Sequence, residues 1–157
     1  MLKVTGVPFL IYATEPHDID LLADIRQEAM KEEWVANGLH DHAAYRKKFK
    51  QTFDPAFTRK IVLHGKTVGF YVLWEPDDYL YLERLYLQPK VQSCGIGSRV
   101  LGILKHKAEE LGKPIRLETF PESRVNAFYL RNGFQLVSAN KHEKCYKFTP
   151  TSVTVPT

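Results

Sequence analysis

The segment Val91-Gln92-Ser93-Cys94-Gly95-Ile96-Gly97-Ser98 lies between a strand-like run, Tyr79 to Leu87, and an amphipathic helical pattern that reaches Leu111. A strand that turns through two glycines into a helix start gathers unpaired backbone N–H groups and the positive end of a helix in one place. Such a place suits a phosphate or pyrophosphate. Glycine at 95 and 97 lets backbone approach a ligand with no side chain in the way, although two glycines can also do no more than make a tight turn. The dinucleotide-binding fingerprint needs a third glycine at position 100, where the chain has Val100. The nucleotide-triphosphate loop needs Lys-Ser or Lys-Thr after the glycines, and neither follows here. The expected ligand is a phosphorylated cofactor of another kind.

At 157 residues, 44% of them hydrophobic and 25% charged, the chain suits one globular domain with a sizeable core. No apolar run approaches a membrane span, and Met1-Leu2-Lys3-Val4-Thr5-Gly6 lacks the long apolar stretch of a secretory signal, so a cytoplasmic location with no membrane partner is expected. Cys94 and Cys145 are too few for a disulfide framework and neither belongs to a Cys/His cluster, so no metal is expected. The formal charge of +4 conceals a division. Residues 15–45 hold eight carboxylates (Glu15, Asp18, Asp20, Asp24, Glu28, Glu32, Glu33, Asp41) against Arg26 and Lys31, a local −6 that leaves +10 on the remainder. The positive part could steer a polyanionic cofactor and the acidic part a cationic amine; solvated helix faces are the plainer alternative.

The periodicity predicts a compact alternation of strands and helices. Phe9 to Ala13 reads as a strand, and Asp18 to Trp34 as a helix with Ile19, Leu22, Ala23, Ile25 and Ala29 inward. His40 to Gln51 forms a second helix, anchored by Phe49 and Phe53 and ended by Asp54-Pro55. Arg59 to Leu63 and Thr67 to Trp74 flank the hairpin signature His64-Gly65-Lys66, and Asp77-Asp78 turns the chain into Tyr79 to Leu87, which makes an antiparallel meander. After the glycines, Val100, Leu101, Leu104, Ala108 and Leu111 make the stripe of a helix packed on a sheet. Gly112-Lys113-Pro114 stops it; Ile115 to Thr119 is a strand and Val125 to Arg131 a short helix. Phe134 to Val137 and Lys144 to Phe148 close the sheet, and the tail 149–157 is expected to be mobile.

The block Leu82-Glu83-Arg84-Leu85-Tyr86-Leu87-Gln88-Pro89-Lys90-Val91-Gln92-Ser93-Cys94-Gly95-Ile96-Gly97 and the later Asn126-Ala127-Phe128-Tyr129-Leu130-Arg131-Asn132-Gly133-Phe134 together resemble the GNAT acetyltransferase superfamily. The first carries its Gln/Arg-x-x-Gly-x-Gly/Ala cofactor motif and the second its Phe-Tyr-x-x-x-Gly-Phe signature. By element order the resemblance spans residues 7–148, and it implies one α/β domain over 1–148 with a mixed, largely antiparallel central sheet flanked by helices.

The resemblance also implies acetyl-CoA as co-substrate, bound in a V-shaped opening between the fourth and fifth strands, here Tyr79 to Leu87 and Ile115 to Thr119. The backbone of Leu85, Tyr86 and Leu87 would pair with the pantetheine arm. The N–H groups of Ser93, Cys94, Gly95, Ile96, Gly97 and Ser98, with Gln92 at the loop entrance, would hold the pyrophosphate. Tyr129 would sit near the thioester sulfur, and Glu83 falls where polyamine-acetylating members keep a base. The chain departs from the family in three places. Gln92 stands where Arg is frequent, Cys94 where small or basic residues are common, and Glu122 where Asn is frequent, which shifts one cofactor contact to Asn126.

An alkylamine with a pKa of about 10.4 is almost wholly protonated at neutral pH, so its deprotonation is part of any direct acetyl transfer. Glu83 could take that proton, with Glu118 as a competing base, and Tyr129 could protonate the departing CoA thiolate. The plainer readings are an ion pair of Glu83 with Arg84 or Arg116 and a core position for Tyr129. Cys94 lacks an organised Cys-His pair, which leaves it structural. The function expected is N-acetyl transfer to a small-molecule or protein amine, in a chain that the resemblance also allows to be a homodimer. A catalytically weak CoA-binding or regulatory domain is the first alternative. A basic nucleic-acid-binding module is the second, and nucleic acid is not expected as a partner because no Lys/Arg run is interleaved with stacking aromatics.

Overall fold

The computed structural model describes residues 8–151, so the segment Met1 to Gly6 and tail positions 152–157 lie outside the described residues. The chain has a single-domain α/β fold. Its strands are β1 (Leu10–Ala13), β2 (Thr58–Leu63), β3 (Lys66–Trp74), β4 (Leu80–Leu87), β5 (Ile115–Thr119), β6 (Gln135–Ala139) and β7 (Lys144–Phe148). Its helices are α1 (Ile19–Ala36), α2 (His42–Thr52), α3 (Ile96–Leu111) and α4 (Val125–Arg131). The strands form one seven-stranded sheet in the order β1-β2-β3-β4-β5-β7-β6, in which β4 and β5 run parallel and the neighbouring pairs β1–β2, β2–β3, β5–β7 and β6–β7 run antiparallel. Two compact units divide the chain, one running up to Val72 and including Arg84–Ile96, the other made of Leu73–Glu83 and the chain from Gly97 on.

In the first unit the predicted core forms in part: Leu22, Ala23 and Ile25 of α1 and Phe49 of α2 are buried, whereas Ile19, Ala29 and Phe53 are half-buried. Ile61 of β2 and Phe70 of β3 are also buried, with the Phe49 and Phe70 rings 5.6 Å apart and Phe70 edge-on to Tyr86 at 5.4 Å. The hairpin between β2 and β3 turns at His64 and Gly65, both at positive φ (51° and 75°), the backbone sense that matches the twist of the two strands. Each helix start has a local reason. Asp41 accepts from the Ala44 N–H at 3.1 Å to cap α2. Ahead of α1, Asp18 and Glu15 form a capping box, with the Glu15 N–H donating to Asp18 Oδ2 at 2.8 Å.

The charge division reads differently in space. Asp20 of α1 pairs with Lys50 at 2.7 Å, Asp24 with Arg46 at 2.7 Å, and buried Asp18 with Lys60 at 3.1 Å. All three cations lie just beyond residue 45, so the acidic window is partly neutralised by chain that its boundaries leave out. The exposed pairs at Asp20 and Asp24 contribute little to stability, and all three pairs remove charge that could steer a ligand.

In the second unit, Val100, Leu101, Leu104 and Ala108 of α3 are buried together with Leu80, Ile115, Leu117 and Tyr146. Leu111 departs from the predicted stripe: it is exposed, because Gly112 ends the helix at that point. The closing pair is a β6–β7 hairpin with a register shift between Leu136 and Ser138. Phe134 falls just before β6 and is buried, while β6 itself is exposed along its length. Past β7, Pro150 is buried and the Thr151 N–H donates to Glu109 Oε1 at 2.9 Å, which ties the first tail residues to α3.

Burial works against ionising Asp18, yet the Glu15 N–H and the Lys60 ammonium outweigh it and hold the carboxyl below the usual range. A depressed carboxyl contributes stability above its unfolded pKa and loses it as pH falls through the folded value. Asp18→Asn should therefore lower the unfolding free energy at pH 7 by about 1–3 kcal/mol. Urea titrations of both proteins should show that gap closing below about pH 4.

Candidate active site

Strand β4 is placed by a close approach that only glycine permits. A Cβ at Gly69 of β3 would collide with the Tyr86 carbonyl and lie 2.7 Å from the Leu87 side chain. The backbone of Leu85 to Leu87 is thereby set against β3, and the Gln88 N–H donates to the Val68 carbonyl at 2.8 Å to close the pairing. The chain then makes a single turn, Pro89–Val91, with the Val91 and Gln92 N–H groups donating to Gln88 and Pro89 carbonyls. Gln92 Nε2 donates to the Leu87 carbonyl at 2.9 Å, so this side chain ties the loop to the strand end.

The loop that follows has left-handed residues at Ser93 (φ 68°) and Gly95 (φ 83°), on either side of half-buried Cys94. Such reversals between right- and left-handed backbone turn successive N–H groups to one side, and here they lead directly into α3 at Ile96. Left-handed backbone costs a non-glycine residue roughly 1–2 kcal/mol, so the conformation at Ser93 is held by its surroundings. Ser98, on the first turn of α3, is exposed, and its hydroxyl accepts from Asn132 Nδ2 at 3.2 Å.

Glu83 lies in the second unit, within a polar cluster on one sheet face. Trp74 Nε1–H of β3 donates to Glu83 Oε2 at 2.5 Å. Two residues before Glu83 on β4, and hence on the same face, the Tyr81 hydroxyl donates to Glu118 Oε2 of β5. Burial pushes the Tyr81 hydroxyl well above the ordinary tyrosine range, and the hydrogen bond to Glu118 and the charges of Glu118, Glu83 and Glu143 push it further. Tyr81 is thus a protonated donor at neutral pH.

Asn126 and Tyr129 stand in a second cluster of that unit. Asn126 Oδ1 accepts from the Thr119 hydroxyl at 2.5 Å and the Tyr146 hydroxyl at 2.8 Å. Its Nδ2 donates to the carbonyls of Phe120 (3.1 Å), Pro121 (3.1 Å) and Ser123 (2.8 Å). The amide therefore organises the corner between β5 and α4. Tyr129, three residues on, is buried with its ring edge-on to Phe128 at 5.2 Å and Phe134 at 5.5 Å, and 6.3 Å from Tyr146. The Phe134 N–H donates to the Tyr129 carbonyl at 3.1 Å and fixes the end of α4.

Sequence reasoning missed Trp74, Tyr81, Thr119 and Tyr146. Alternation along β4 could have paired Tyr81 with Glu83. The other three require strand neighbours that local pattern does not carry. Among the described residues no group of three or more His, Cys, Asp or Glu could hold a metal ion, and no helix is long and apolar enough to cross a membrane.

The family model described as "Acetyltransferase (GNAT) family" matches residues 19–134, and the chain belongs to that family; its activity class is acetyl transfer. The fold is similar to the PaiA N-acetyltransferase from Thermoplasma acidophilum in complex with coenzyme A, with a TM-score of 0.75 and 17% identity over 90% of this chain and 99% of that one. It is also similar to the ribosomal-protein-S18-alanine N-acetyltransferase from Escherichia coli (TM-score 0.70, 18% identity, 90% and 94% covered). An acetyltransferase from Thermus thermophilus has a TM-score of 0.72 at 14% identity, with 90% and 96% covered. No curated protein matches the sequence.

An aspartate in the first turn of a helix suits the helix dipole, so Ser98→Asp should leave α3 and thermal stability intact. The added charge should repel a pyrophosphate at the loop. Calorimetry should show CoA binding weakened about ten- to hundred-fold.

Proposed function

We propose that the chain transfers the acetyl group of acetyl-CoA directly to the primary amine of a cationic acceptor. The observation that carries this reading is the fixed carboxylate of Glu83, on the strand that precedes the loop at Ser93 and Gly95. The left-handed loop and the start of α3 suit a pyrophosphate, and the structure of the Thermoplasma relative in complex with coenzyme A supports the same ligand here. In this reading the backbone of Leu85, Tyr86 and Leu87 pairs with the pantetheine arm, and the N–H groups of residues 93–98 receive the phosphates. Gln92 and Asn126 act by shaping the loop and the α4 corner, since their amides bond to those segments.

Acetyl-CoA supplies an activated thioester; the protein supplies proton handling and position. Glu83 accepts a proton from the acceptor's ammonium, directly or through water, and so releases the nitrogen lone pair. Backbone N–H groups near Leu85 to Leu87 stabilise charge on the carbonyl oxygen as the C–N bond forms. Tyr129 gives its hydroxyl proton to the sulfur as the C–S bond breaks, and the second proton that the nitrogen sheds on becoming an amide passes through water to the Tyr129 phenolate. Glu118 is the competing base, with one carboxylate oxygen already engaged by the Tyr81 hydroxyl. The carboxylates Glu83, Glu118 and Glu143 around Tyr81 support a cationic acceptor better than the partly neutralised α1 segment does.

Acetyl-CoA consumption, read as thiol release against polyamines, amino acids, aminoglycosides and short peptides, should show turnover with a cationic amine. CoA binding with no turnover on any amine would make this a CoA-binding domain instead. On a verified acceptor, Tyr129→Phe should slow single-turnover transfer about ten-fold or more with CoA affinity unchanged. A wild-type single-turnover rate would return Tyr129 to packing.

A further inference from the structure

We infer that Trp74 is a positioning residue for acetyl transfer, its indole N–H holding the Glu83 carboxylate in the orientation from which it meets the acceptor amine. The inference rests on the reading of Glu83 as base. Trp74 ends β3 and Glu83 lies in the next strand, its neighbour in the sheet, so both partners are carried on strand backbone. The indole nitrogen is a donor only, and a donor to a carboxylate makes a charge-assisted bond, here 2.5 Å long.

The neighbourhood explains why such a clamp is needed. Register places Tyr81 opposite Arg116, Arg116 opposite Lys147, and Glu118 opposite Cys145, so these residues share the face that carries Glu83. Arg116, stacked 4.6 Å over the Tyr79 ring, and Lys147 are cations towards which a loose glutamate could swing. Glu118 and Glu143 repel it, and Tyr81 is engaged with Glu118. A glutamate that samples several rotamers spends only part of its time in the productive one. The indole removes that freedom and leaves carboxylate chemistry in place.

The test combines a spectrum with a cycle of variants. The chain has two tryptophans, so the indole N–H signal missing from Trp74→Phe in a 1H–15N spectrum belongs to Trp74. Glu83→Gln should displace that signal while the Trp34 indole stays put. On the acceptor identified by the amine panel, Trp74→Phe should lower kcat about ten-fold with the KM for acetyl-CoA within about two-fold, and should cost nothing further when Glu83 is already Gln. An indole signal indifferent to Glu83→Gln overturns the clamp even if Trp74→Phe fails to fold. Full additivity of the two losses makes Trp74 merely structural while Glu83 keeps its role. A wild-type rate in Glu83→Gln removes the base itself, and the positioning role with it.

Discussion

Strands β4 and β5 run parallel, and a parallel pair cannot be joined by a tight turn; the chain must leave one strand end, travel back along the sheet and re-enter. Helix α3 makes that return, and the loop before it must reverse direction in a few residues, which is why Ser93 and Gly95 sit in left-handed backbone. Register pairs Leu80 with Ile115 and Tyr81 with Arg116, at the starts of both strands. The residues assigned to chemistry follow those starts: Glu83 on β4, Glu118 on β5, and Tyr129 on the helix after β5. One topological requirement thus produces both the left-handed loop and the strand positions of Glu83 and Glu118, the residues proposed as bases.

Precision at those positions comes from polar side chains that are themselves tied. Asn126, half-buried, spends its whole amide on five partners around the β5–α4 corner, and each bond lost there would cost about 0.5–1.5 kcal/mol. Tyr146, whose hydroxyl is pushed up by burial, stays a donor to that amide across any physiological pH. The Trp74 indole and the Tyr81 hydroxyl do the same for two carboxylates. These donors are all neutral aromatic groups, so they orient their acceptors without adding charge.

Charge patterning was the weakest guide. A window with a net −6 looks like a cation-attracting rim, but Arg46, Lys50 and Lys60 return to it through the α1–α2 packing and the β2 strand. The carboxylates that do gather come from places far apart in sequence, Glu83, Glu118 and Glu143, brought round Tyr81 by strand pairing. Strand register sets Glu83 and Glu118 on one face and sets Arg116 and Lys147 on it as well, so the charges there are as mixed as those on the helix surface.

The sequence by itself determined the element order, the glycine loop, the α3 stripe apart from Leu111, and the family, because these depend on local dihedral preference and on periods of two and 3.6 residues. It also singled out Glu83, Asn126 and Tyr129 by their places in motifs. Only the tertiary structure decided what their side chains bind: Asn126 a corner of backbone, Glu83 an indole, Tyr129 a nest of aromatic rings. It alone seated β7 between β5 and β6, which delivers the Tyr146 hydroxyl to Asn126 twenty residues away. The physical reason is that strand register and side-chain hydrogen bonds join residues distant along the chain, and no local pattern records which distant strand becomes the neighbour.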